Sequence, residues 1–228
     1  MTQNDGAAGP PAFTAVSPVL LVDETYARIK AAVLRGDFAP GERLRDSVIA
    51  REMGVSRSPV REALSLLASE GLVDRSPNRS YTVAALADEA VTELCAMRIA
   101  LEDFAVRHLI ANGTDIGSAR AALDDMAAAV ESDDAIALAE SDVAFHSAIV
   151  DAAGLARLSS AYRGIRDQLS LALRASLGVR GGSEHMLERH TELYDLLVQA
   201  QRDGEAERIR AMFQEHILHA TGVTLALA

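Results

Sequence analysis

At 228 residues the chain is long enough for one or two domains, and 49% hydrophobic residues with only 4% aromatics favour a helical core over a sheet. A single cysteine, Cys95, excludes an intrachain disulfide; no run of about 18 apolar residues is present to span a membrane and no basic-then-apolar leader opens the chain, so a cytoplasmic protein is expected. The formal net charge of −11 is uneven: residues 1–84 balance 10 basic against 10 acidic side chains, while residues 85–228 carry the whole excess, which leaves room for a basic face in the first third.

Residues 1–17, MTQNDGAAGPPAFTAVS, lack periodicity and read as a disordered arm. Residues 18–86 read as one unit. A first helix is expected over 23–34, with Tyr26, Ile29, Ala32 and Val33 on its apolar stripe, ended by the glycines and proline of RGDFAPGERL. A short second helix, 47–53, has Ser47 as its cap and Gly54 as its end. Ser56 caps a third helix over 57–70. Pro59 is tolerated there because first-turn N–H groups have no intrahelical partner, and Gly71 closes the helix. Leu72-Val73 and Tyr81-Thr82-Val83 flank the turn-forming Ser76-Pro77-Asn78 as a small hairpin. Residues 87–228 are helical throughout, with six helices expected at about 88–112, 115–131, 133–153, 155–178, 183–202 and 204–222. The fold class is mainly α: an N-terminal winged helix-turn-helix, then an all-α bundle of about six helices.

In a winged helix-turn-helix the third helix enters the major groove of double-stranded DNA by its N-terminus. Arg57 and Arg61 stand one turn apart on that helix, and an arginine fork matches the O6 and N7 of guanine. Ser56, Ser58 and the helix N–H groups suit phosphate oxygens. Arg45 lies just before the second helix, within reach of the backbone, and Arg79, at the hairpin tip, points to the neighbouring minor groove. An arginine pair beside Glu62 is ordinarily a solvated helix face; the coincidence of turn, cap, hairpin and arginines favours DNA. The stretch APGERLRDSVIAREMGVSRSPVREALSLLASEGLVDRSPNRSYTV closely resembles the DNA-binding domain of the GntR family of bacterial transcription regulators, over about residues 20–86. The resemblance implies DNA contacts from Ser56, Arg57, Ser58, Arg61 and the wing around Arg79. It departs at Ser80, where the family usually has glycine.

In the helical part, Asp142 and His146 fall one turn apart on the stripe Leu138, Asp142, Phe145, His146, Ile149. An acid facing a core is costly unless it is paired or metal-bound. His190 shares a stripe with Leu187, Leu193 and Leu197; His216 shares one with Ile209 and Ala220. The last two helices turn near Asp203, thirteen residues from each histidine, so an antiparallel pair holds both at one level. One carboxylate and three imidazoles suit a divalent transition metal, Zn, Ni or Mn, with open positions for a ligand's carboxylate. Arg98 faces the same interior and can clamp such a carboxylate through its fork, although a plain ion pair with Glu102 is an equal alternative. His108, His185 and His219 read as structural or surface residues.

Residues 88–222 resemble the FCD ligand-binding domain of the FadR subfamily within the GntR regulators, through AESDVAFHSAIVDAAG, RHTELYDLL, MFQEHI and MRIALE. The resemblance implies a metal site at Asp142 and His146 completed by two later histidines, a small organic acid as effector, and Arg98 with Glu102 as the first-helix motif. Alignment back from His216 puts Tyr194 in the third ligand position; the level argument favours His190. Leu155 replaces an asparagine common in the family. The reading is a homodimeric repressor that binds a palindromic operator and is not an enzyme. Two rivals stand beside it: a metal-dependent enzyme domain on a DNA-binding head, and a direct metal sensor.

Overall fold

A computed structural model describes residues 19–77, 80–180 and 183–221. The expected arm, 1–17, and Arg79 at the expected wing tip lie outside them.

The chain opens with α1 (Val19–Arg35), which buries Ile29 and Val33 and stops where Gly36 adopts a φ of 79°. Then come β1 (Arg43–Leu44), α2 (Asp46–Met53), α3 (Arg57–Ser69), β2 (Val73–Arg75) and β3 (Tyr81–Val83). Strand β1 was not expected, because two residues are too short for alternation to show. It turns the hairpin into a three-stranded antiparallel sheet of order β1-β3-β2, with Leu44 opposite Tyr81 and Val73 opposite Val83. These four side chains are buried, and they close a core with Ile29, Val33, Leu64 and Leu67.

Ser47 is not the cap of α2. That helix starts one residue earlier, with Arg45 in extended conformation at its N-cap and the Asp46 carboxylate in its first turn, where it complements the helix dipole. Ser56 does occupy the N-cap position of α3, but its hydroxyl makes no capping bond and remains exposed.

The six expected helices follow: α4 (Asp88–Asn112), α5 (Gly117–Glu131), α6 (Ala135–Ala152), α7 (Ala156–Arg180), α8 (Ser183–Asp203) and α9 (Glu207–Thr221). Asp134 sets the start of α6 by accepting the Ile136 and Ala137 N–H groups at 2.9 and 3.0 Å. Helix α5 begins two residues late because the Asp115 side chain accepts from Gly117 N–H at 3.0 Å and holds a turn ahead of the helix. Phe145, Ile149, Leu193, Leu197, Ile209 and Phe213 pack the centre.

The head rests on α7. Lys30 of α1, the chain's one lysine, bridges Asp167 of α7 at 2.5 Å and Glu70 at the end of α3 at 3.1 Å. Tyr26 donates to Glu70 at 2.6 Å, Gln168 donates to the Glu70 carbonyl at 3.0 Å, and Arg174 bonds the Leu34 carbonyl. Leu171 adds apolar contact with the head's core.

Candidate functional site

Two groups of the residues singled out above are brought together in space, one on the surface of the head and one inside the bundle.

On the head, Pro59, Val60, Ala63 and Leu64 of α3 face inward, so Arg57, Ser58 and Arg61 face out. Arg45 and Ser56 are exposed beside them. The Arg57 Nη2 lies 2.8 and 2.9 Å from the two Asp46 carboxylate oxygens, and Arg61 Nε lies 4.0 Å from one of them. Asp46 thus gathers both guanidinium groups at the entry of α3, a role that only proximity across the α2–α3 turn reveals. At the base of the wing tip, Ser76 and Ser80 hydroxyls meet at 2.6 Å and the Ser76 N–H donates to the Ser80 carbonyl at 2.9 Å, so serine at 80 closes this wing.

Inside the bundle, α6 supplies Asp142 and His146 from adjacent turns, α8 supplies His190 and α9 supplies His216. All four are buried, and one ligand atom from each falls within 4.8 Å of the others. The His146 Nε2 is 3.2 Å from His190 Nε2 and 3.3 Å from His216 Nε2, while Asp142 Oδ1 is 2.9 Å from His190 Nε2. Tyr194 is not among them; it packs against the apolar core.

The outer partners decide which ring nitrogens face the centre. The Met186 carbonyl can only accept, so His190 donates to it from Nδ1, at 2.7 Å. Burial alone raises the Glu102 carboxyl, but His146 and the Arg98 guanidinium outweigh it and hold the group ionised, well below the usual carboxylate range. Glu102 therefore accepts the His146 Nδ1–H at 2.8 Å, together with Arg98 Nε–H at 2.8 Å and the Tyr162 hydroxyl at 2.9 Å. In the neutral tautomer that donates from Nδ1, each ring turns its Nε2 lone pair toward the other, and that of His190 also faces the Asp142 carboxylate. Asp142 is ionised too: burial pushes it up, but His190, His146 and Arg98 hold it far lower. Burial pushes the His146 and His216 imidazoles down, the latter strongly with His190 adding to the effect, which opposes uptake of a proton.

Lone pairs so close repel unless a cation sits among them. The donor set, one carboxylate and three imidazole nitrogens each oriented by an outer hydrogen bond or by packing, fits a divalent transition metal. Among the described residues, two buried side-chain atoms have no hydrogen-bond partner, Arg98 Nη2 and Asp142 Oδ2, and they lie 4.0 Å apart at the edge of the cluster. Phe145 closes over His146 and His190 edge-on, with ring centroids at 5.2 and 5.1 Å. A groove of about 730 Å³ along α8, lined by Val130, Leu187, Glu192 and Arg208 among others, shares no residue with the cluster. Glu102 and Tyr162 were not singled out as site residues from sequence. Glu102 was visible as the partner of Arg98; Tyr162 had no local signal.

A winged-helix head with outward arginines, joined to a bundle with a polar centre, defines a class: DNA-binding transcription regulators built as one chain. The chain belongs to the GntR family and carries an FCD domain. The model of the bacterial regulatory proteins of the gntR family matches residues 21–83, and the FCD domain model matches residues 93–219. The HTH-type transcriptional regulator YdhC of Bacillus subtilis is 26% identical over 85% of this chain and 89% of its own. The gluconate operon transcriptional repressor of Bacillus subtilis is 27% identical over 67% of this chain and 63% of its own. A GntR transcriptional regulator from Rhodococcus sp. RHA1 superposes with a TM-score of 0.80 at 25% identity, over 89% of this chain and 96% of that one. These relatives are regulators, so the enzyme reading of the helical half falls. None of the described helices is long and apolar enough to cross a membrane.

Proposed function

We propose that this chain is a cytoplasmic, homodimeric repressor whose grip on a palindromic operator is set by a small carboxylate bound at a metal in the bundle. Residues 18–86 form the reading unit and 87–228 the sensing and dimerising unit. Arg57 and Arg61 read base edges, Ser56, Ser58 and Arg45 hold phosphates, and Arg79 enters the minor groove. The repressor sense follows the gluconate operon repressor among the relatives.

One observation carries the reading: three imidazoles and Asp142 converge, fully buried, beside a guanidinium nitrogen with no hydrogen-bond partner. Asp142, His146, His190 and His216 would hold Zn, Ni or Mn. When bound, the metal offers open coordination positions to an anion. Arg98 is already fixed by Glu102 through Nε, so its Nη2 edge is free to take a carboxylate oxygen. Arg98 is 4% exposed, so the acid reaches it only when the helices part. Its differential affinity for the parted and closed bundles is then the energy available to shift the heads.

The test pairs elemental analysis of the purified protein with mobility shifts on its own upstream DNA, with and without small di- and tricarboxylic acids. The expected result is near one metal per chain and sequence-selective, salt-sensitive binding that one acid weakens. Absence of metal together with indifference to every acid would sink the sensing half of the reading.

A further inference from the structure

The outward face of α3 holds an acid among its bases. Arg57, Ser58 and Arg61 are exposed there, and Asp46, in the first turn of α2, reaches them across the α2–α3 turn. The Asp46 side chain is 22% exposed, against 61% for Arg57 and 43% for Arg61, so the carboxylate sits beneath the two guanidinium groups. Its own place is firm, because Leu44 before it and Ile49 and Ala50 after it are buried in the head's core.

An acid at this place opposes DNA binding as such. It cancels positive charge on a surface that must face phosphates, and counterion release rewards every net cation. Nor does it do much for the fold, since an ion pair with so exposed an arginine contributes little. Its effect on direction is larger. Both Asp46 oxygens take the same Arg57 nitrogen, Nη2, at 2.8 and 2.9 Å. Nη2 has a second hydrogen and Nη1 has two, so the end of the guanidinium keeps the pair of donors that matches the O6 and N7 of guanine. An arginine without such an anchor swings about its long stem and takes any phosphate oxygen within reach. Anchored, it presents its fork in one direction. The Arg61 Nε lies 4.0 Å from the same carboxylate, beyond a hydrogen bond, so Asp46 attracts Arg61 without fixing it.

We propose that Asp46 is a specificity-determining positioning residue: it holds the Arg57 fork toward a guanine edge and away from phosphates, lowering affinity for DNA of any sequence while raising discrimination. The proposal rests on the assignment of Arg57 to base reading and deepens it. Asp46 acts through Arg57.

The test compares full-length wild type, Asp46→Asn, Asp46→Glu, Arg57→Ala and the double variant D46N/R57A by fluorescence anisotropy over a salt series. The probes are the fragment of the protein's own upstream DNA that wild type binds most tightly and a random duplex of equal length. Asp46→Asn should bind the random duplex about three- to tenfold more tightly, with a salt slope steeper by about one phosphate contact, because a negative charge is gone and Arg57 is released to the backbone. Its ratio of operator to random affinity should fall about tenfold or more. Asp46→Glu keeps the acid and should keep most of the discrimination. When each G·C pair of the operator is changed in turn to A·T, Arg57→Ala should lose sensitivity at one pair per half-site, and Asp46→Asn should flatten the response at that same pair. In the Arg57→Ala background, Asp46→Asn should no longer change the ratio. Melting temperatures should stay in place throughout.

A merely structural Asp46 would weaken binding to both DNAs together and leave the G·C response unchanged, and that result overturns the proposal. So does an effect of Asp46→Asn on the ratio that persists in full without Arg57. A wild type that binds both DNAs alike, or an Arg57→Ala variant with the G·C response of wild type, removes the base-reading assignment itself. The proposal then falls with it, and the Arg57→Ala data alone tell this failure from the other two.

Discussion

The head and the bundle place their polar chemistry on opposite sides of their helices. In the head, the core from Ile29 to Val83 is apolar and the arginines assigned above to DNA reading project from the surface of α3. In the bundle, Arg98, Glu102, Asp142, His146, His190 and His216 are themselves core residues. The head can therefore lose a contact without losing its fold. The bundle cannot, because burying these groups is favourable only while every charge has its partner. Function is separable from stability in one half and fused with it in the other.

The sharpest way to break that contrast is Glu102→Ala. It removes the acceptor for Arg98, His146 and Tyr162 at once and leaves a buried guanidinium beside empty space. A loss of about 3–5 kcal/mol is expected, typical of stripping one partner from a buried ion pair. Calorimetry should show the bundle melting earlier; an unchanged melting temperature would mean that the network is not a structural unit. Metal removal comes next. If the metal binds at a thousand times its dissociation constant, a chelator should cost the bundle about 4 kcal/mol. Hydrogen exchange should localise the loss to α6, α8 and α9, with α3 unaffected. Arg57→Ala lies at the other pole. It should weaken operator binding by about 1–3 kcal/mol, spare random DNA more than operator, and leave the melting curve in place. Equal losses on both DNAs would remove Arg57 from base reading.

The same contrast explains what could be read from the chain without coordinates. The head was legible because its signals are local: Gly54 ends α2, Ser56 sits before α3 and Gly71 ends it, all within a few residues. Strand β1 escaped notice because its pairing with Tyr81 and Thr82 is distant in sequence and only two residues long. In the bundle, Asp142 and His146 were conspicuous as polar groups on an apolar stripe, and the equal spacing from Asp203 matched His190 with His216. Tyr162 gave no such sign, since a tyrosine among leucines is ordinary core; only the packing of α7 on α4 brings its hydroxyl to Glu102. The exposure of Met97 and Phe104 on α4 was hidden for a related reason. A helix that is apolar on two sides reads from sequence as merely hydrophobic, and burial alone tells Leu94 and Ala105 from Met97 and Phe104.

The smallest expected effect lies where the two halves meet. Lys30 has about a fifth of its side chain exposed and holds Asp167 of α7 and Glu70 at the end of α3 together. Replacing it with methionine keeps the apolar stem but removes the cation shared by the two carboxylates, leaving Asp167 only Arg166, 3.2 Å away, as a partner among the described residues. Surface ion pairs contribute little, and this one is only partly shielded, so a loss of about 1 kcal/mol is expected. The size matters less than how it combines. In a double-mutant cycle of Lys30→Met with Asp167→Asn, the second change should recover much of the first loss, because the neutral amide no longer repels Glu70. If the two losses simply add, the lysine is a bystander, and the tie between the DNA-reading head and the polar-centred bundle rests instead on Gln168, Arg174 and the Leu171 contact.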